Sequence, residues 1–138
     1  MITIRKQEIV NLEDVLHLYQ AVGWTNYTNQ PQMLEQALSH SLAIYLALDG
    51  DVVVGLIRLV GDGFSSVFVQ DLIVLPSYQR QGIGRALVKE ALGDYKDAYQ
   101  VQLATEQTEK NVGFYRSMGF ETLSTYDCIG MIWVNREK

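Results

Sequence analysis

Apolar positions along this chain change period in blocks, and the blocks predict alternating strands and helices. Residues 1–6 read as a first strand. Asn11 then stands where a helix cap belongs, and Leu12, Val15, Leu16, Tyr19 and Val22 recur at helical spacing, with Gly23 ending the run. Residues 23–29 are polar and aromatic and read as a loop. Pro31 suits the first position of a second, short helix. Residues 41–48 and 51–60 are predicted strands, joined at the hairpin dipeptide Asp49-Gly50. Gly61-Asp62-Gly63 turns the chain into a further strand that ends at Val74-Leu75-Pro76. A helix over 82–94 gathers Ile83, Leu87, Ala91 and Tyr95 on one face. A short strand follows over 101–105, then a helix capped by Thr108 and ended by Gly119. Residues 121–125 and 128–134 are predicted as two last strands around a turn at Tyr126-Asp127.

Composition adds bounds. The 138 residues suit one domain, and 48% apolar with 20% charged content is that of an ordinary globule that needs no covalent staple. No linker, repeat or low-complexity stretch interrupts it. Cys128 is the only cysteine, and His17 and His40 lie far from it in sequence, so no internal disulfide or zinc-type spacing exists and no metal is expected. No apolar run approaches the ~20 residues of a membrane span, and residues 1–6 lack a signal-peptide core. A cytoplasmic protein, away from membranes, is the expectation. A net charge of −5 argues against nucleic acid as partner and suits a cationic ligand such as an amine, although many proteins are acidic for solubility alone.

The chemistry concentrates in residues 67–87. A strand runs into a turn, then a loop, then a helix start. Free N–H groups and the positive end of the helix dipole favour a phosphate there. Gly82 and Gly84 let the backbone come close to a ligand, and Arg80 and Arg85 add charge. A pyrophosphate is the natural guest. The Gly-Lys-Ser/Thr ending of a Walker loop is missing. The third glycine of a dinucleotide fingerprint is replaced by Leu87.

Gln79-Arg80-Gln81-Gly82-Ile83-Gly84 after Val74-Leu75-Pro76 resembles the acyl-CoA loop of the Gcn5-related N-acetyltransferases, the GNAT superfamily. Downstream, Phe114-Tyr115-Arg116-Ser117-Met118-Gly119-Phe120 resembles the last part of the same catalytic core. The motif-level resemblance covers residues 70–120, and the ends agree in layout. Gly23-Trp24, Arg58 with Gly61-Asp62, Asp71 and Gly130-Met131-Ile132-Trp133 look similar to small bacterial and plastid-type members. The resemblance implies an α/β fold in one domain over 1–138. Its central sheet would be mixed but mostly antiparallel, with six to seven strands splayed between the fourth and fifth, flanked by about four helices. It implies acetyl-CoA as co-substrate and direct transfer of the acetyl group to a primary amine, of a small molecule or of a protein or peptide, in a ternary complex. The rival reading is a non-catalytic acyl-CoA sensor. A homodimer is compatible with either.

What the resemblance implies for single residues can be weighed against need. An alkylamine of pKa ~10 is only about one part in a thousand neutral at pH 7, so removal of its proton needs help. Asp71, on the strand before the loop, is a candidate base, water anchor or cation site; the alternative is a strand-end carboxylate paired with an arginine. Tyr115 is the candidate acid for the departing thiolate, or else a core aromatic. The side chains of Leu72, Ile73 and Val74 read as core. In the family this strand bulges and splays, and its free N–H groups bind the pantetheine and polarise the thioester carbonyl. Gln79 through Arg85, with Gln81 and Ile83 among them, would hold the pyrophosphate. Many members carry an asparagine seven residues before the tyrosine; here that position is Thr108, which also looks like a helix cap, and Asn111 lies one turn on as a substitute. Trp24 and Tyr27 either line the acceptor side or pack in the core.

Overall fold

The computed structural model describes residues 1–135, and the chain divides into two compact units, Met1–Leu103 and Ala104–Lys138. The first unit is a five-stranded sheet in the order β1-β2-β3-β4-β5: β1 (Ile2–Gln7), β2 (Ala43–Asp49), β3 (Val52–Gly61), β4 (Ser66–Val74) and β5 (Gln100–Leu103). The first four strands pair antiparallel and β5 runs parallel to β4. The helices of this unit are α1 (Leu12–Ala21), α2 (Thr25–Thr28), α3 (Pro31–Ser39) and α4 (Ile83–Asp94). Among the described residues no helix is long and apolar enough to cross a membrane.

Helical spacing in α1 buries Val15, Leu18 and Tyr19, and α3 adds Leu34 and Leu38. These meet Ile44, Leu46, Leu56 and Ile73 from one face of the sheet. The α4 face packs opposite: Gly55 lies against Leu87, and the Tyr45 hydroxyl donates to Asp94 at 2.6 Å. Burying some twenty apolar side chains at roughly 1.5–3 kcal/mol each is what drives this sheet to fold between its helices.

One irregularity matters for function. Arg58 is paired with Asp71, but its neighbour Leu59 is paired with Val69, so Gln70 is an extra residue, a β-bulge in β4. Paired residues share a face, and Arg58 and Leu59 point to opposite faces. Val69 therefore faces α4, whereas Asp71 and Ile73 face α1 and α3.

The second unit contains α5 (Glu109–Ser117) and a 3₁₀ turn at Leu123–Tyr126. The strands predicted over 121–125 and 128–134 are not formed among the described residues, so the sheet has five strands, not six or seven. The reason is local. Thr122 Oγ1 lies 2.9 Å from Ser124 Oγ and 3.3 Å from Thr125 Oγ1, the Thr125 N–H donates to Thr122 O, and Asp127 is left-handed. Hydroxyl side chains that bond within their own turn compete with a strand ladder. The aromatic loop also differs from expectation, since Thr25–Thr28 closes a single helical turn and brings the helix count to five.

The β3–β4 hairpin depends on Gly61. Its φ is +126°, and a Cβ there would run into the Ser66 carbonyl. Asp62 tightens the same turn, accepting from the N–H groups of Phe64, Ser65 and Ser66 and from the Ser65 hydroxyl. Gly61→Ala should lower unfolding free energy by about 2–3 kcal/mol. Urea denaturation checks it, and an unchanged midpoint would show that the hairpin relaxes freely.

Candidate functional site

The predicted loop is formed within the first unit. After β4, Pro76–Tyr78 makes one 3₁₀ turn, and the Tyr78 hydroxyl donates to Asp49 Oδ2 at 2.6 Å, tying the turn to the end of β2. Gln79 donates through Nε2 to the Val74 carbonyl at 3.1 Å. Arg80 and Gly82 both have left-handed backbones, φ +66° and +79°. Gly82 occupies the cap position of α4, where a side chain would be strained. The first backbone bond of this helix runs from Ala86 N–H to Gly82 O. No described backbone carbonyl accepts from the N–H groups of Gln81, Gly82, Ile83 or Gly84, and no side chain caps the helix. Ile83 is buried and pins the turn, while Arg80, Gln81 and Arg85 are exposed.

The edge of β4 continues this line of donors. Pairing with β5 covers only Ser66 to Val69. From Asp71 to Val74 the strand pairs with β3 alone. Leu75 N–H donates to Val54 O on the β3 side, and the Val74 carbonyl meets Gln79 on the other. Alternation then turns Leu72 and Val74 outward and Ile73 toward β3. The N–H groups of Leu72 and Val74 and the start of α4 thus belong to one polar track, with the side chain of Ile73 in the core.

Asp71 is 2% exposed, and its carboxylate accepts three hydrogen bonds. Oδ2 receives Arg58 Nε at 2.7 Å and the Tyr19 hydroxyl at 2.8 Å, and Oδ1 receives the Tyr27 hydroxyl at 2.9 Å. Arg58 spreads its other nitrogens to Ser41 Oγ, the Ala37 carbonyl and Tyr27. Burial, and then the Asp71 charge, raise the phenols of Tyr19 and Tyr27 above their ordinary range. Burial works against the Arg58 charge, but Asp71 more than restores it and the guanidinium is held above its usual value. Tyr19, Trp24 and Tyr27 form an aromatic group with ring centroids 5.1–6.3 Å apart; Tyr19 is buried, and Trp24 and Tyr27 are half-buried and pack against the core. Sequence reasoning read Tyr19 only as a helix-face position and missed its bond to Asp71. The available signal was Arg58 itself, a charge inside the apolar run Val52–Gly61, which demands a buried counter-charge.

In the second unit, Thr108 Oγ1 accepts from Asn111 N–H at 3.1 Å, which caps α5. Tyr115 is half-buried between Phe114 and Phe120, with ring centroids at 5.0 and 5.8 Å, and burial raises its phenol. Gly119 ends the helix with φ +98°.

The family description "Acetyltransferase (GNAT) domain" matches residues 40–122. Among solved structures, a GNAT family acetyltransferase from Streptococcus pneumoniae TIGR4 is 85% identical, covers 99% of each chain and superposes with a TM-score of 0.91. The chain is 28% identical to GCN5-related N-acetyltransferase 1, chloroplastic, of Arabidopsis thaliana over 97% of its own length and 68% of that protein. It is 33% identical to serotonin N-acetyltransferase 2, chloroplastic, of Oryza sativa subsp. japonica, over 66% of its length and 48% of the rice protein.

Breaking the buried pair has an expected cost. Arg58→Met leaves the Asp71 charge without its partner and should reduce stability by about 3–5 kcal/mol. Tyr19→Phe removes one bond to a charged acceptor and should reduce it by about 1.5–3 kcal/mol. Denaturant midpoints test both; a loss below that of an exposed Lys→Met control would show that the cluster contributes nothing.

Proposed function

Because this chain belongs to the GNAT acetyltransferase family, we propose that it moves the acetyl group of acetyl-CoA to a primary amine by direct transfer. The observation that carries the reading is the donor track of the first unit: outward N–H groups on β4, then uncapped N–H groups at the start of α4. A track of this kind suits an elongated ligand with a polar carbonyl at one end and a pyrophosphate at the other. On this reading the 79–85 loop, with Arg80 and Arg85 adding charge, holds the pyrophosphate. Leu72 and Val74 bind the pantetheine arm and polarise the thioester carbonyl by their backbone. Thr108 serves as helix cap, and the Asn111 side chain is left for the cofactor.

The acceptor side follows from the buried cluster. A carboxylate that already receives three bonds cannot easily take a proton from an amine. Asp71 therefore acts as a positioning residue: it fixes the half-buried Tyr27, which with Trp24 presents an aromatic, weakly polar wall to the acceptor. Tyr115 supplies the proton to the departing thiolate. Burial raises its phenol and so favours the protonated form, the form a general acid needs. The acceptor itself is a small amine or a protein or peptide amino group.

Two variants test the reading. Gly84→Val adds bulk at the helix start, at a position without a left-handed backbone, and should abolish acetyl-CoA binding by calorimetry while circular dichroism is unchanged. Unaltered affinity in a folded variant would remove the loop from the site. Tyr115→Phe keeps the ring, so acetyl-CoA affinity should hold while kcat falls by roughly 10²–10⁴-fold. The assay is thiol release across polyamines, arylalkylamines, amino acids and peptides. Equal kcat in both proteins would exclude Tyr115 as the acid. Cofactor binding with no turnover on any amine would favour an acyl-CoA sensor.

A further inference from the structure

A phenol hydroxyl carries one proton and two lone pairs, and in water it turns whichever of them a partner needs. Tyr27 has lost that freedom. One neighbour of its oxygen is Asp71 Oδ1 at 2.9 Å, and an ion-paired carboxylate only accepts. The other is Arg58 Nη2 at 3.2 Å, and a guanidinium only donates. The proton is therefore committed to Asp71 and one lone pair to Arg58, which leaves a single lone pair over. Burial, and then the Asp71 charge, raise the Tyr27 phenol, so the proton stays where the carboxylate holds it. The rest of the cluster is committed in the same sense. The Tyr19 hydroxyl donates to Asp71 Oδ2 and is fully buried, and the Ser41 hydroxyl donates to the Ala37 carbonyl at 2.7 Å. Every described hydroxyl proton of the cluster points inward.

We infer that the remaining lone pair of Tyr27 receives an N–H of the acceptor amine, and that the same oxygen turns away acceptors with a carboxylate on the amine-bearing carbon. The inference rests on the acceptor wall of Trp24 and Tyr27 proposed above; both rings are half-buried and keep part of their surface outside the core. A hydroxyl that donates to a carboxylate becomes a stronger acceptor, because each bond in a chain polarises the next. An amine or ammonium N–H gains from this. Indole and phenol rings 6.3 Å apart suit the apolar body behind the nitrogen. A carboxylate gains nothing. It meets a lone pair and finds no hydroxyl proton, and the Arg58 charge is 4% exposed and already paired. The acceptor class is then an amine flanked by carbon alone, not a free amino acid reacting at its α-amino group. Tyr27 binds and orients the amine and takes no proton from it, since its own proton and its other lone pair are both held.

The test compares amines with their α-carboxylated counterparts: phenethylamine with phenylalanine, and isoamylamine with leucine. Calorimetry with and without saturating CoA reads acceptor binding, and thiol release from acetyl-CoA reads turnover. In the parent protein the amine of each pair should bind at least about tenfold more tightly than its partner. Tyr27→Phe keeps the ring. It should weaken the amines by roughly 3–30-fold and leave the amino acids little changed, so that the preference collapses. In turnover the loss should fall on the acceptor KM, with kcat, its pH profile and acetyl-CoA affinity preserved, as suits a binding contact and not a base. Tyr19→Phe deletes a bond to the same carboxylate from a hydroxyl that no ligand reaches, and should leave the preference in place. Melting curves establish that both variants are folded at the assay temperature. A parent that prefers the amino acids, or binds none of the amines, would overturn the inference without any variant. So would an undiminished preference in Tyr27→Phe, an equal weakening of both members of each pair, or the same collapse in Tyr19→Phe. Amine binding that depends on Tyr27 with no turnover on any amine would strike the transferase reading and leave this contact standing.

Discussion

The bond from Arg58 Nε to Asp71 Oδ2 crosses from β3 to β4 beside the extra residue of β4. A charged pair inside a sheet is expensive to desolvate, and it is tolerable only when its remaining donors and acceptors are met. Here they are. Tyr19 comes from α1, Tyr27 from α2, and Ser41 and the Ala37 carbonyl from the end of α3 and the residues after it. Three helical elements and two strands thus converge on one ion pair. No described buried side-chain nitrogen or oxygen lacks a partner. The pair specifies which helix lies over which strand, a choice that apolar contacts alone leave loose.

The same pair explains how the polar edge of β4 comes about. Opposite Arg58, Asp71 sets the strand's register after the bulge. That register turns the N–H groups of Leu72 and Val74 away from β3, and β5 has already left the strand by then. The loop that follows is held at both ends, by Tyr78 on Asp49 and by the buried Ile83. Backbone groups need rigid placement to bind or polarise anything, and here the placement comes from side chains that touch no ligand.

Much of this was legible in the letters. The period of α1, Pro31 opening α3 and Gly82 before α4 all stand where local rules put them, because each is decided by a few neighbouring residues; the β2–β3 hairpin forms too, but its turn lies one place on, at Gly50-Asp51, with Asp49 still paired to Val52. Thr108 caps α5 for the same reason. Asn11 precedes α1 as expected, though its side chain makes no cap bond. What could not be read was decided across the chain. Residues 67, 69, 71 and 73 are all buried and look like one face of a strand. Only the cross-strand register reveals that the bulge divides them between two faces. Tyr19 looked like any other apolar position of α1, since its hydroxyl matters only once Asp71 lies beside it. Residues 128–134 have the composition of a strand, but composition does not supply a partner.

The single extra residue at position 70 carries a lesson about how such a sheet can change over time. Gln70 is exposed, and its side chain makes no hydrogen bond among those described, so many amino acids could stand there. Its loss would join Val69 directly to Asp71, and a regular strand would then keep Val69 opposite Leu59 and Asp71 opposite Arg58, each on the face it already occupies. The residue thus adds no pair and removes none; what it adds is a local bend and extra twist where β4 parts from β5. Descendants of this chain could respell position 70, or lose it, and keep the ion pair; what they would lose with it is the curvature of the strand at that point.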